Sequence, residues 1–149
     1  MVEEKGFLEG LQNLERVTAD LPLDEMLIWM ARGAIELMDE NREFVRLIIM
    51  EGLGGDEAGL DQYRRLLDLW ESALSTVLGR YQEKGELPGN SLRSLSRQII
   101  YVIHMAFVDS LLGRNVSPTA STAERREALA VFAESGIRTI VRGVSSSGR

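Results

Sequence analysis

The sequence predicts an all-α protein, a single domain over residues 1–149 built as a helical bundle of about six helices. Three observations predict it. Apolar residues recur three and four apart almost throughout, no stretch alternates β-branched and polar residues between turn pairs, and the three prolines each fall between periodic stretches. At 149 residues, with 44% apolar and 27% charged residues, the chain has one domain's length and enough apolar mass for a full core.

A first helix is expected over residues 3–17, where Phe7, Leu11 and Leu14 keep helical spacing and Gly6 and Gly10 weaken it. The next opens at Pro22, since proline is tolerated in a first turn, and Asp24 and Glu25 suit the positive end of the helix dipole. Leu23, Met26, Leu27, Met30, Ala34, Leu37 and Met38 share its broad apolar face. Asn41 is placed to cap a shorter helix carrying Phe44, Leu47, Ile48 and Met50, which Gly52-Leu-Gly-Gly55 ends.

The clearest helix runs over 56–84. Leu60, Tyr63, Leu67, Trp70, Leu74, Val77 and Tyr81 draw a continuous seam along it. Gly85 can take the left-handed conformation that ends it, and Pro88 blocks a restart. Asn90 or Ser91 then caps a helix reaching Leu112, closed by Gly113. Its second half, 99–108, is apolar on every face, more than one small bundle can cover, so a surplus face for a partner is expected. The last helix is expected over 119–142, with Leu129, Phe132, Ala133, Gly136, Ile137 and Ile140 as a slim stripe and Glu134–Arg138 as an i, i+4 ion pair. Residues 144–149 read as a disordered tail.

Composition excludes several functions. With 17 basic and 23 acidic residues, the net charge of −6 is not the footprint of a nucleic-acid binder. Cysteine is absent, which removes disulfides, thiolate metal sites and cysteine nucleophiles. The start of the chain has no apolar stretch of the secretory kind. The run 99–108 falls well short of the roughly 20 residues that span a bilayer. A cytoplasmic location and no membrane partner are therefore expected.

The search for chemistry is mostly negative. Around His104, the one histidine, the positions three and four away are Ile100, Tyr101, Phe107 and Val108, none of them a nitrogen or carboxylate ligand. No phosphate loop and no Gly-x-Ser-x-Gly elbow occurs. Not an enzyme, and no metal or cofactor, is the expectation. What remains is Met26, Trp29, Met30, Met50, Trp70, Tyr101, His104 and Met105 on helices. Such residues usually fill a core. The sharper alternative is a pocket for an apolar ligand, with Tyr101, His104 and the Trp N–H groups as polar handles.

The order of elements carries a resemblance. A helix opening at Pro22-Leu-Asp-Glu25 precedes Glu40-Asn-Arg-Glu-Phe-Val-Arg-Leu-Ile-Ile-Met-Glu-Gly52; the long helix ends on Arg80-Tyr-Gln-Glu-Lys-Gly-Glu-Leu87; the final helix holds Phe132-Ala-Glu-Ser-Gly136. Over residues 7–143 this resembles the C-terminal effector-binding and dimerisation domain of bacterial TetR-family transcriptional regulators. Asn41-Arg-Glu-Phe44 stands where the family often has Asn-Pro-Glu-Leu, with Arg42 in place of proline. The family's N-terminal helix-turn-helix has no counterpart here, so its DNA contacts are assigned to no residue.

The resemblance implies that the last two helices pair with their copies as a four-helix dimer interface, and that a small, largely apolar effector sits within the bundle and alters DNA binding by the absent domain. Candidate ligand contacts are then Met26, Trp29, Met30, Phe44, Trp70, Tyr101, His104 and Met105. Candidate dimer contacts are Phe107, Leu111, Phe132, Gly136 and Ile140. The alternative is a helical protein–protein interaction module without a ligand.

Overall fold

The computed structural model describes residues 13, 16, 17, 19–89 and 92–146. Among them are five helices and no strand: α1 (Leu23–Glu40), α2 (Arg42–Leu53), α3 (Glu57–Glu83), α4 (Leu92–Leu111) and α5 (Thr122–Ser146). The all-α expectation holds. The expected first helix over 3–17 and the caps Asn90 and Ser91 lie largely or wholly outside the described residues.

Local chemistry sets the helix ends. Pro22 stands just before α1, and its carbonyl accepts from the Met26 amide at 2.9 Å. Asn41 does not cap α2 with its side chain. Its Nδ2 donates backward to the Leu37 carbonyl at 2.9 Å, so it finishes α1 instead. Asp56 caps α3, its Oδ2 accepting from the Gly59 amide at 2.8 Å. Gly85, at φ +77°, closes that helix in the left-handed region. Ser121 and Glu124 form a reciprocal capping box on α5: the Glu124 amide donates to Ser121 Oγ, and the Ser121 amide donates to Glu124 Oε2. Helix α5 continues through Ser146, which corrects the expected disorder from residue 144; 147–149 lie outside the described residues.

Helices α1 and α5 run antiparallel, fixed at one end by Arg126 on Asp39 and at the other by Arg138 on Asp24. Helices α3 and α4 are antiparallel too, tied by Arg93 and Arg97 on Glu71 and by Tyr63 on His104. Helix α2 packs on α3. Gly59 permits that approach, since a β-carbon there would stand 2.9 Å from Glu51 Cβ. The shared core includes Met26, Leu27, Ile35, Leu78, Ile99, Phe107, Leu129 and Ile137, all fully buried. Each such side chain contributes about 1.5–3 kcal/mol, which outweighs any exposed ion pair.

The expected Glu134–Arg138 pair within α5 is replaced by pairs across helices. Glu134 takes Arg32 of α1, and Arg138 takes Asp24. Both side chains lie on the edge of α5 that faces α1, so each finds its partner there.

The strongest polar cluster ties four helices at one end. The Asp39 side chain is fully buried at the end of α1. Arg125 binds it bidentately, Nε to Oδ1 at 2.6 Å and Nη2 to Oδ2 at 3.1 Å, and Arg126 Nε adds a bond to Oδ2 at 3.0 Å. Arg42 of α2 stands 3.7 Å away, donates to Ser110 Oγ and carbonyl oxygen on α4, and lies over the Phe107 ring. Burial pushes the Asp39 carboxyl up, but the hydrogen bonds and charges of Arg125 and Arg126 together hold it below the usual carboxylate range.

Candidate functional site: an apolar cavity and its outer groove

Four helices leave a hollow of about 50 Å³ between them. Met38 of α1 and Val45, Ile48 and Ile49 of α2 form one side; Tyr63, Leu66, Leu67 and Trp70 of α3 and Ile100, Ile103 and His104 of α4 form the other. Helical spacing puts them there: on α3 the seam positions 63, 67 and 70 continue into 74, 77 and 81. The last three are buried while the first three stay half-buried, and the hollow opens beside that less tightly covered half.

One hydrogen-bonded pair interrupts the apolar wall. The Tyr63 hydroxyl lies 2.5 Å from His104 Nε2, with the rings tilted at 50° and 5.6 Å apart. Burial raises Tyr63 above its ordinary range, the charge of Tyr101 adding to it, and burial lowers His104. Both partners are therefore neutral at neutral pH, a polar handle without a charge.

Outside the hollow, α3 and α4 flank a groove of about 200 Å³ lined by Arg64, Leu67, Asp68, Glu71, Arg97, Ile100 and Tyr101. Glu71 is nearly buried. Arg93 Nε holds its Oε1 at 2.5 Å, and Arg97 Nε holds its Oε2 at 2.9 Å. The hydrogen bond from Arg97 acts first to lower the Glu71 pKa; burial opposes it and Arg93 reinforces it.

Only Trp70 and His104 of the eight candidate ligand contacts line the hollow. The others lie elsewhere in the fold. Met26 is fully buried in the core, and Met30 is packed on that core. Trp29 is exposed on α1, and Phe44 is exposed on α2 beside the wall residue Val45. Tyr101 lines the outer groove, and Met105 is exposed on α4. Tyr63, the partner of His104, carries no sequence signal of a site, because its place on the seam marks it as core.

The dimer candidates divide likewise. Phe107 is 0% exposed and cannot touch a partner; it faces the chain's own core, which corrects that expectation. Leu111 and Ile140 are partly buried against the same core. Gly136 faces Val102 of its own chain, where a β-carbon would stand 2.6 Å from Cγ1. Phe132 is 43% exposed on α5, and on α4 Tyr101 and Met105 are 52% and 48% exposed. The run 99–108 is thus not buried all round, and its outer face is greasy and open.

Among the described residues, no helix is long and apolar enough to cross a membrane, and no group of three His, Asp or Glu side chains is placed to hold a metal ion. Compared with models of known protein families, with curated proteins and with solved structures, the chain finds no match in any of the three.

Proposed function

We propose that this chain is the ligand-sensing and dimerisation domain of a TetR-like transcriptional regulator of bacterial cytoplasm, without enzymatic activity. The supporting observation is the hollow, an inter-helix cavity with apolar walls and one neutral polar pair, which suits a small apolar effector carrying a single hydrogen-bonding group. The hollow is far smaller than the roughly 300 Å³ of a typical ligand site, so the effector selects a wider arrangement of α2 against α3 and α4. That selection is how binding would be transmitted to a helix-turn-helix domain lying outside this sequence. The open faces of α4 and α5 supply the surface for a second copy.

The test uses 1-naphthol as a compact apolar probe with one hydroxyl. In a Trp29→Phe background Trp70 is the remaining tryptophan, and it lines the hollow, so its fluorescence should change saturably with naphthol. Val45→Phe, which fills the hollow, should abolish the response while leaving helicity intact. A response that survives Val45→Phe would place the probe elsewhere, and no response at all would refute a ligand cavity.

A second reading, a helical interaction module with no ligand, is favoured by the exposed stripe Phe44, Leu47, Met50 and Leu53 on α2. It requires that naphthol leave Trp70 undisturbed.

A further inference from the structure

We infer that the effector is an amphiphile, an apolar chain seated in the hollow with a carboxylate held outside it at Arg64 and Arg97. This rests on the ligand-sensing reading and names its ligand class. The hollow and the outer groove share two walls, Leu67 and Ile100. Those two aliphatic side chains border both an apolar interior and a polar exterior, and joining the two spaces would require them to move.

The interior cannot take a charge. Its polar pair, Tyr63 and His104, is neutral, and a carboxylate sealed there would lose its hydration without a cation to replace it. The groove offers what the interior lacks. Arg64 and Arg97 line it with guanidinium groups, of which Arg97 already gives its Nε to Glu71 and keeps its two terminal nitrogens, and Tyr101 lines it as well. The opposing acids in the groove are Glu71 and Asp68. Both Glu71 oxygens are already engaged by Arg93 and Arg97, which leaves Asp68 as the acid a carboxylate would meet. Among the described residues Arg64 is held only by Asp61, at 3.4 Å between two well-exposed side chains, a weak pair that an incoming carboxylate can displace.

The experiment compares decanoate with 1-decanol, both below their aggregation concentrations, by Trp70 fluorescence in the full chain carrying Trp29→Phe. Decanoate should bind more tightly than decanol. Arg64→Gln should weaken decanoate by about threefold, and Asp68→Asn should strengthen it by a similar factor, the range expected of exposed charges. Neither change should move decanol. Val45→Phe should eliminate binding of both. Equal affinities that ignore the two charge variants would overturn the carboxylate assignment and leave the apolar cavity standing. Decanoate binding that persists in Val45→Phe would overturn the seating of the chain in the hollow. Silence toward decanoate, decanol and 1-naphthol alike would overturn the cavity itself.

Discussion

Replacing Asp39 by Asn should be the most damaging single-atom change in the described fold. The side chain is fully buried, and it receives three hydrogen bonds from Arg125 and Arg126, with Arg42 at 3.7 Å. Asparagine keeps the shape and one acceptor oxygen but removes the charge that three guanidinium groups converge on. Burial and the Arg125 charge already lower the Arg42 pKa, so the uncompensated cluster repels itself. Removing one partner of a buried ion pair costs 3–5 kcal/mol. The arginines keep 22–30% of their side-chain surface, so the low end, about 3 kcal/mol, is expected. For a chain of this size that is a loss on the order of 10 °C in Tm.

Urea unfolding followed by circular dichroism measures it, and pH supplies the control. The folded-state pKa of Asp39 lies below the unfolded value of 3.8, so its contribution is complete above that value and drains away as pH falls through the folded pKa. The gap between wild type and Asp39→Asn should be full at pH 7 and shrink steadily below about pH 4. A gap under about 1 kcal/mol at neutral pH, the worth of an ordinary exposed pair, or one that stays constant into acid, would refute the reasoning.

Other outcomes follow from the same structure. His104 has a folded-state pKa below its ordinary 6.5, so the unfolded chain binds the extra proton and stability should decline as pH drops below that value; His104→Gln should remove that slope from the urea midpoints, and a parallel decline in the variant would assign it to other groups. Gly136→Ala gains about 1 kcal/mol of helix propensity, yet its β-carbon meets the stiff Val102 side chain at 2.6 Å, an overpacking of about 1–3 kcal/mol. The variant should be no more stable than wild type, and Val102→Ala should rescue it; a plain gain in stability would show that α4 and α5 have slack at this point. Met105→Glu with Phe132→Glu should convert a dimer to monomer in native mass spectrometry without loss of helicity, and a wild-type chain that is monomeric at micromolar concentration would dismiss the paired arrangement.

Much of the fold was legible because period and punctuation agree. Six of the seven seam residues of α3, from Tyr63 to Tyr81, pack in or against the core as their spacing requires, and Gly85 and Gly113 take the positive φ that ends a helix. The Ser121-Thr-Ala-Glu124 phrase also announced the start of α5 three residues later than expected, and a capping-box reading would have found it. The site was legible only in part. A helix apolar on every side carries no marker of which side faces in, so the sequence leaves Phe107 and Met105 unphased, and the structure buries Phe107 and exposes Met105. The exposed Arg97 held the missing phase: Tyr101 and Met105 follow it at successive intervals of four and share its outward face. Asp39 with Arg125, and Tyr63 with His104, lie 86 and 41 residues apart. Nothing local in a chain specifies such pairings; tertiary packing alone makes them.

Met38 and Asp39 are consecutive residues on the last turn of α1, one walling the hollow and the other gripped by arginines of α5. A guest that shifts the backbone at Met38, rather than only its flexible side chain, would also strain the clasp beside it. By reciprocity, loosening the clasp changes how readily the guest is admitted. Under the proposed function, filling the hollow and holding the arginine clasp would be one equilibrium, so a change to either should shift the other.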